Sequence, residues 1–591
     1  MAAVHKLDEE QMRMAEELLF SEENDMSFAK SMFFGRFEPT KALPYSHLKV
    51  DEIERFHVFM RDLKAYMSEN LDPEWIDRHA EIPRDVIEGL GKIGLLGMTV
   101  PKKYGGQGFS QHAYCKAIEE VGSRCGATAV FVNAHHSIGL RTLLIYGNEE
   151  QREKWLPSLC RGEKICAFAL TEKNAGSDVS NIETVASYDE AEDCYYLNGS
   201  KQWITNGGMA EVLTVMAKTD VVTPEGTKSK VSAFLVTNDM LGFEVTEKAL
   251  EKVGIRGTWT AKLRFENVKV PAKNLVGQLG AGLSIPLGVL NFGRITFGAS
   301  CTGAAKFCVS KSINHAIIRN QFKRPIASFP LIKEKLSRMA AYAYAMDAGT
   351  YLTASMFDRG VEDYMLEAAM IKVFASEALW EIVNEAIQVH GGKAFFCDQP
   401  FERMMRDARL NSIGEGANEV LHNFIGLVGM RDVGLELQRL EEKSHHISEF
   451  ASFLTGSFET VISLFRSPEI PLKTNELQEE LNSLRERYRK FHWNVVKMLA
   501  HHKEGIVEAQ LDVRRISSMA ISLYTSTAVI IKWENDAHNG ELSDAELEID
   551  LAKARYYLHM SGDTFDLCVR EIKENRDEGT TSLSDLLTDL D

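Results

Sequence analysis

The chain has 591 residues, 45% of them hydrophobic and 26% charged, with a formal net charge of −18. That length holds several domains with large cores, and the composition is that of an ordinary globular protein. The negative balance argues against a nucleic-acid surface, which needs concentrated Lys and Arg; it is compatible with an enzyme that meets a protein partner.

Residues 1–45 read as an N-terminal extension. Its opening, MAAVHKLDEEQMRMAEELLF, is acidic and lacks the basic lead and apolar core of a secretory signal, and its carboxylates argue against a transit peptide. Residues 46–165 carry amphipathic helical patterns such as VDEIERFHVFMRDLKAYM. Within them PKKYGGQGFS (101–110) lacks P-loop spacing and reads as a turn, not a phosphate cradle. At Cys166 the period changes: CAFALTE, YYLNGSKQWITN, VLTVMAKT, VSAFLVTN, FEVTEKA and AKLRFENVKVP are short, β-rich and separated by turn residues. They predict an antiparallel barrel or sandwich over 166–280. Helices return over 281–436 as a four-helix bundle and continue over 437–591 as an added helical domain, so the chain is mainly α with a central antiparallel β-domain.

Nine cysteines are scattered without a CxxC and read as reduced thiols, with neither a zinc site nor a disulfide frame. No run of about 18 uncharged apolar residues is present to span a bilayer. The segment 447–465 gathers Phe450, Phe453, Phe458 and Phe465 on one stripe, but its other side offers Glu449 and Glu459 with only Arg466 beyond. That pattern favours a core or dimer helix over a membrane-surface one.

One stretch, Gln388–Gly426, holds two features that cost a helical region stability. Gly391 and Gly392 follow an apolar run and free the backbone for a close approach. Glu415 lies between Gly414 and Gly416. A carboxylate flanked by glycines is reachable by a ligand, and dry surroundings make a carboxylate a better base. The alternative is a helix N-terminus whose dipole favours a glutamate.

With these residues in view, the chain resembles the acyl-CoA dehydrogenases. PKKYGGQG, GNEEQREKWLP, AFALTEKNAGSD, GSKQWITNGG, RFENVKVP, NFGR, RNQFKRP, QVHGG, FERMMRDAR and EGANEV follow one another in that family's order over about 50–435. AHHSIG, FPLIKEKLSRM and the C-terminal block are similar to the very-long-chain branch. The resemblance implies helical, β and four-helix domains, non-covalent FAD, a homodimer, and α,β-dehydrogenation of a long-chain fatty acyl-CoA in β-oxidation. Electrons would pass to an electron-transfer flavoprotein. The compartment would be a bacterial cytoplasm, or the mitochondrial matrix after removal of a transit peptide. An acyl-CoA oxidase and a catalytically silent scaffold on the same fold are the alternatives.

Residue by residue, the resemblance makes Glu415 the base, with its N–H and a flavin hydroxyl binding the thioester oxygen. Gly293 occupies the other place where some branches put the base, so it cannot serve. Arg294 matches the arginine near the base, and Ser177, Gly416 and Ala134 fall on the substrate side. Phe168, Leu170, Thr171, Gly176 and Ser177 match the loop on the flavin, and Trp203, Ile204 and Thr205 its far wall. Arg319, Gln321 and Phe322 match residues reaching a neighbouring subunit's FAD. Gln388, Gly391, Gly392, Ala417 and Glu419 match the adenosine side. Departures include Ala417 for a threonine, Pro330 for a glutamine and Lys173-Asn174 for Pro-Gly. Ala134 and Gly414 replace bulkier residues, which opens the acyl slot to long chains, unless Phe131 or His135 closes its floor again.

Overall fold

The computed structural model describes residues 26–224, 226–444 and 466–589; the stripe at 447–465 lies outside them. The described chain divides into two compact units. One holds His47–Lys311 and Leu379–Glu415; the other holds the residues up to Ser46, Ser312–Ala378 and those from Gly416 onward.

In the first unit, helices Ile53–Asn70, Arg84–Ile93, Gln111–Arg124 and Glu149–Cys160 precede the sheet. Their starts are fixed by local chemistry. Ser110 Oγ accepts the Ala113 N–H at 3.1 Å, and Asn148 and Gln151 form a reciprocal capping box. The strands are β1 Cys166–Ala169, β2 Val185–Asp189, β3 Cys194–Ile204, β4 Val212–Thr223, β5 Gly226–Thr237, β6 Phe243–Glu247, β7 Ala261–Pro271 and β8 Leu275–Val276. They join in one sheet in the order β6-β7-β3-β2-β4-β5-β8, with β1 also on β4. The expected antiparallel domain is therefore mixed: β1 runs parallel to β4, and β2 meets β4 in parallel at Val185–Lys218. The reason is connectivity. β1 leaves the helix Glu149–Cys160 directly, and more than forty residues separate it from β4, enough for a crossover that no hairpin could make. Period-2 alternation gives the sheet two apolar faces. Ala167, Leu197, Leu213, Val215 and Phe265 pack on one, and Cys166, Val212, Met216 and Leu235 pack on the other with Leu140, Leu156 and Leu159.

The second unit is helical, built on Pro330–Asp358, Gln478–His502, Gln510–Asn539 and Asp544–Glu574. The stretch read as an extension is, from Ser27, part of this core. Phe28 and Phe33 of the helix Phe28–Phe33 are fully buried, and Phe33 meets Phe491 edge-on at 4.9 Å. The Ala29 N–H donates to Glu367 Oε1 at 2.7 Å, and His492 Nδ1 donates to the Phe33 carbonyl at 2.8 Å. Arg359 caps the carbonyls of Thr40, Lys41 and Leu43. Six residues make too short a helix for its 3.6 period to register in the sequence. No helix among the described residues is long and apolar enough to cross a membrane.

The Phe33 ring lies where a side chain at position 429 would go: a Cβ on Gly429 would stand 2.1 Å from Phe33 Cζ. Gly429→Ala therefore forces overpacking and costs about 1–3 kcal/mol. Adding Phe33→Leu recovers part of that loss, since the two sites are in contact and their effects are not additive. Unfolding midpoints of the two single variants and the double variant measure this, and simple additivity is the contrary result.

Candidate active site

Glu415 follows the helix Pro400–Leu410 and a turn in which the Ile413 and Gly414 N–H groups donate to the Leu410 carbonyl. Its backbone is left-handed, φ +56°, and Gly416 follows at φ +98°. Such a conformation costs a residue with a Cβ of order 1–3 kcal/mol and persists only where its surroundings enforce it. Here they enforce the place of the carboxylate. A Cβ built on Gly293, in the helix Ser284–Ile318, would stand 2.5 Å from Glu415 Oε2 and 3.2 Å from Oε1. The space that Gly293 leaves open is the space the carboxylate fills.

Two side chains flank it. Asn133 Nδ2 donates to Glu415 Oε1 at 2.8 Å. Arg294, 6% exposed, points Nε at the Glu415 carbonyl at 3.5 Å and Nη1 at Asn291 Oδ1 at 3.3 Å. Burial pulls the Arg294 guanidinium down to about 10, against the opposing charge of Glu415, so it stays a cation at neutral pH. Sequence reasoning missed Asn133; its one signal is a polar residue in the apolar run ATAVFVNAHHSIG.

Asn133 opens a π-helical stretch, Asn133–Leu140, inside an otherwise α-helical segment. Wide turns of this kind are rare and gather at functional sites. Every side of this one is engaged. His135 Nε2 donates to the Leu159 carbonyl at 3.1 Å, and its Nδ1 accepts the Cys166 N–H of β1 at 3.2 Å. Gly139 lies so close to β1 that a Cβ there would be 2.6 Å from Cys166 Sγ. His136 Nε2 accepts the Thr99 N–H at 3.2 Å, and its ring lies 4.1 Å from that of Tyr114. Burial pushes His135 down to about 4, and burial with the Arg141 charge holds His136 well below the usual histidine value. Both are neutral, as their accepting nitrogens require. Ala134, between them and Asn133, is half-buried.

The flavin-loop residues lie on β1 and beyond it. Phe168, Leu170 and Thr171 are half-buried, while Gly176 and Ser177 are exposed. The loop is pinned to β3: the Gln202 N–H donates to the Thr171 carbonyl at 3.0 Å, and Lys201 Nζ donates to the Leu170 carbonyl at 3.0 Å and to Glu172 Oε1 at 2.6 Å. Lys201 is buried, and that burial lowers it to about 8 against the pull of Glu172. Burial acts to raise Glu172, but the Lys201 charge and hydrogen bond, with those from Thr184 and Glu183, outweigh it and leave the carboxyl below its ordinary value. The next residues on β3 turn outward. Trp203 has φ +57° and is 59% exposed, followed by buried Ile204 and half-buried Thr205. A tryptophan in the left-handed region with its ring in the open is a surface held ready to stack. Gln388, Gly391 and Gly392 stand exposed at the end of the helix Met365–His390 and in the turn Gly391–Phe395, where a Cβ on either glycine would meet nothing within 4 Å.

In the second unit, Arg319, Gln321 and Phe322 are exposed on a two-stranded ribbon, β9 Asn320–Gln321 with β10 Arg324–Pro325. Phe322 has φ +51° and is 87% exposed. Gly416 and Ala417 lead into the helix Asn418–Ser444, whose first turn carries exposed Glu419. Lys372, fully buried in the helix Met365–His390, donates to the Gly416 carbonyl at 2.7 Å and to Asn418 Oδ1 at 2.9 Å. It too was missed, although a lone cation in MLEAAMIKVFASEALW was its signal.

Residues 54–163, 167–268 and 280–429 match the N-terminal, middle and C-terminal domains of acyl-CoA dehydrogenase. The chain belongs to the acyl-CoA dehydrogenase family. Residues 475–583 match the domain described as ACAD9/ACADV, C-terminal. The human protein described as mitochondrial very long-chain specific acyl-CoA dehydrogenase is 34% identical over 523 residues, 87% of this chain and 80% of that one. Among solved structures, an acyl-CoA dehydrogenase of Bacillus anthracis complexed with FAD matches with a TM-score of 0.77 and 28% identity over 91% of each chain. Butyryl-CoA dehydrogenase of Megasphaera elsdenii matches with a TM-score of 0.60 and 32% identity over 64% of this chain and 98% of its own. This acyl-CoA dehydrogenase is thus an FAD-dependent oxidoreductase. Residues of the first unit fit that cofactor: exposed Trp203 offers a face to an aromatic ring, and Gly176, Gly391 and Gly392 leave room beside the backbone.

The two neutral histidines tie stability to pH. His135 is protonated in the unfolded chain below its ordinary value of 6.5 and in the folded chain only below about 4. Its neutral form therefore stabilises fully above 6.5, and that stability is lost as pH falls from 6.5 towards 4, by roughly 3 kcal/mol. In apparent unfolding midpoints measured from pH 8 to 4, His135→Gln should lack this component, so the wild-type minus variant difference shrinks on acidification. A difference constant with pH is the contrary result.

Proposed function

We propose that this chain dehydrogenates a long-chain fatty acyl-CoA to the trans-2-enoyl-CoA, with Glu415 as the base and an electron-transfer flavoprotein as acceptor. The observation that carries the reading is the Glu415 carboxylate, seated over Gly293 and held by Asn133 with the Arg294 cation beside it.

An α-proton beside a thioester is too weak an acid to leave unaided, so a fixed base must be within hydrogen-bond reach. Glu415 supplies it: one carboxylate oxygen takes the α-proton and becomes the carboxyl O–H. Electron density moves onto the thioester oxygen, which the Glu415 N–H is suited to accept as a hydrogen-bond donor, in the manner of an oxyanion hole. FAD, when bound, supplies the two-electron acceptor for the β-hydride. Phe168, Leu170, Thr171, Gly176, Ser177 and Trp203–Thr205 would hold its ring, and Gln388, Gly391, Gly392, Ala417 and Glu419 its remainder, while Arg319, Gln321 and Phe322 would reach the FAD of a neighbouring subunit; Ser177 and Gly416 would also lie on the substrate side. Arg294 keeps the carboxylate charged before the reaction, because a nearby cation favours the ionised form.

Long-chain preference has two supports. A Cβ on Gly414 would make only ordinary 3.7 Å contacts with Leu410, so the residue before the base fills no space in front of it. Ala134 is small and half-buried, and His135 beside it is held by Leu159 and Cys166. A homodimer is supported by the exposed Ile318, Phe322 and Leu331, at 77%, 87% and 73%, in the second unit.

Anaerobic addition of a long-chain acyl-CoA to the purified FAD-loaded protein should bleach the flavin near 450 nm. Glu415→Gln should bind FAD normally and bleach about 10²–10⁴-fold more slowly; unimpaired bleaching rules out Glu415 as the base. Across an acyl-length series, kcat/KM should peak at long chains, and a peak at butyryl-CoA overturns the chain-length assignment. Steady release of hydrogen peroxide would move the enzyme to the oxidases.

A further inference from the structure

Behind Glu415 lies a buried line of polar side chains that the reaction as written does not use. Asn133 Nδ2 donates to Glu415 Oε1, and Asn133 Oδ1 accepts from the Thr296 hydroxyl. Thr296 Oγ1 lies 3.2 Å from Ser137 Oγ, which lies 3.2 Å from the Tyr114 hydroxyl. All four are buried, with Tyr114, Thr296 and Ser137 at most 1% exposed and Asn133 at 3%. They come from three elements: the helix Gln111–Arg124, the π-helical stretch, and the helix Ser284–Ile318.

Chemistry fixes the direction of the line. An ionised carboxylate only accepts, so the amide must turn its NH₂ towards Glu415 and its oxygen away. That oxygen also only accepts, so Thr296 must donate to it. The Phe292 and Gly293 carbonyls, at 3.0 and 2.9 Å, also lie within reach of that proton, but the Asn133 oxygen is the nearest of the three acceptors; with the proton on that contact, Thr296 can receive from Ser137, and Ser137 from Tyr114. Four donors thus align towards one carboxylate oxygen, and aligned hydrogen bonds polarise one another in a dry interior. The line does not conduct protons, because an amide cannot pass one on without becoming its imidic tautomer. Its end is a clamp.

We infer that Asn133 is a positioning residue that holds the Glu415 carboxylate ionised and fixed through Oε1. This rests on Glu415 being the base. The wide turn explains how the clamp is built: Asn133 and Ser137, four residues apart at the start and middle of the π-helical stretch, both reach Thr296. His135, His136 and Gly139 anchor the same stretch on its other sides. A donor to the charged form of a carboxyl favours that form, so the clamp counters the desolvation that would otherwise leave the base protonated.

The clamp is readable because the groups described beside it each keep one charge state over the working range. The groups that face the carboxylate are Arg294, from the helix Ser284–Ile318, and Tyr114, from Gln111–Arg124. Arg294 is a cation up to about 10, and burial raises the Tyr114 phenol. Behind them, His135 and His136 are neutral and Arg141 is charged, stacked at 4.0 Å on Phe292.

The test is Asn133→Leu, close in size but without a donor, with Thr296→Val as a second variant that removes only the hydroxyl orienting the amide. In the FAD-loaded enzyme, Asn133→Leu should move the acidic limb of the kcat/KM profile upward by about one pH unit and lower kcat about ten-fold at neutral pH. KM and flavin content should hold. Thr296→Val should give the same shift, smaller. Independently of turnover, the infrared carboxylate band that Glu415→Gln abolishes should titrate at higher pH in Asn133→Leu than in the wild type. An unchanged infrared midpoint in both variants overturns the inference. If Asn133→Leu does not fold, an unshifted Thr296→Val profile overturns it instead. Retained activity in Glu415→Gln would instead sink the base assignment, while the infrared comparison would still report whether Asn133 holds the carboxylate.

Discussion

The site depends on one steric exchange: a side chain missing from one helix makes room for a carboxylate delivered by a loop. Gly293 and Glu415 are 122 positions apart in sequence, yet the Cβ that Gly293 lacks would overlap the Glu415 carboxylate. The loop reaches that spot only with a left-handed backbone at Glu415, a conformation that L residues avoid. The cost is met by fixed partners on the same unit, Asn133 and Arg294, which hold the carboxylate and the backbone carbonyl respectively. Glycine at 293 is therefore more than an absent base; it is the socket for the carboxylate of Glu415.

The same economy governs the wall expected to meet the flavin. A loop that must leave its outer face open to a cofactor cannot be stabilised by packing on that face. It is held from behind by the Lys201–Glu172 pair, buried at 0% and 5% side-chain exposure, and by backbone bonds from Glu183 and Thr184. A buried ion pair is a poor source of stability by itself, because desolvating two charges offsets most of their attraction. Its use here is geometric: one lysine ties the Leu170 carbonyl and the Glu172 carboxylate to β3, two residues before Trp203 turns outward. Left-handed backbone is found at Trp203, Phe322 and Glu415, three of the positions where ligand contact is proposed, as well as at turns elsewhere.

What was legible in the sequence follows from how local each determinant is. The change from helical to strand period at Cys166 and back near Gly280 is written in consecutive residues, and both boundaries fall within a few positions of β1 and of the helix at Ser284. Glu415 stood out because glycines flank it, and Trp203 and Phe322 through ordered motifs. Determinants that act across the fold were silent. The parallel pairing of β1 with β4 depends on a crossover, which alternation cannot reveal. Asn133 and Lys372 read as stray polar residues in apolar helices until Glu415 and Gly416 are placed beside them. The helix Phe28–Phe33 was lost for a different reason, since six residues carry less than two turns of pattern.

A silent scaffold on the same fold would need none of this arrangement. Packing a loop against a glycine-bearing helix is cheaper with an apolar residue at 415, because a half-buried carboxylate must be offered donors or be neutralised. Keeping a glutamate there commits an asparagine, an aligned row of hydroxyls, a rare π-helical turn and a desolvated arginine to one acidic group. Those groups are polar and buried in helices, where apolar side chains would pack at less cost, and all of them converge on the one carboxylate. They make physical sense as the cost of presenting a dry, ionised, fixed carboxylate, and proton abstraction beside a thioester is the chemistry that requires one.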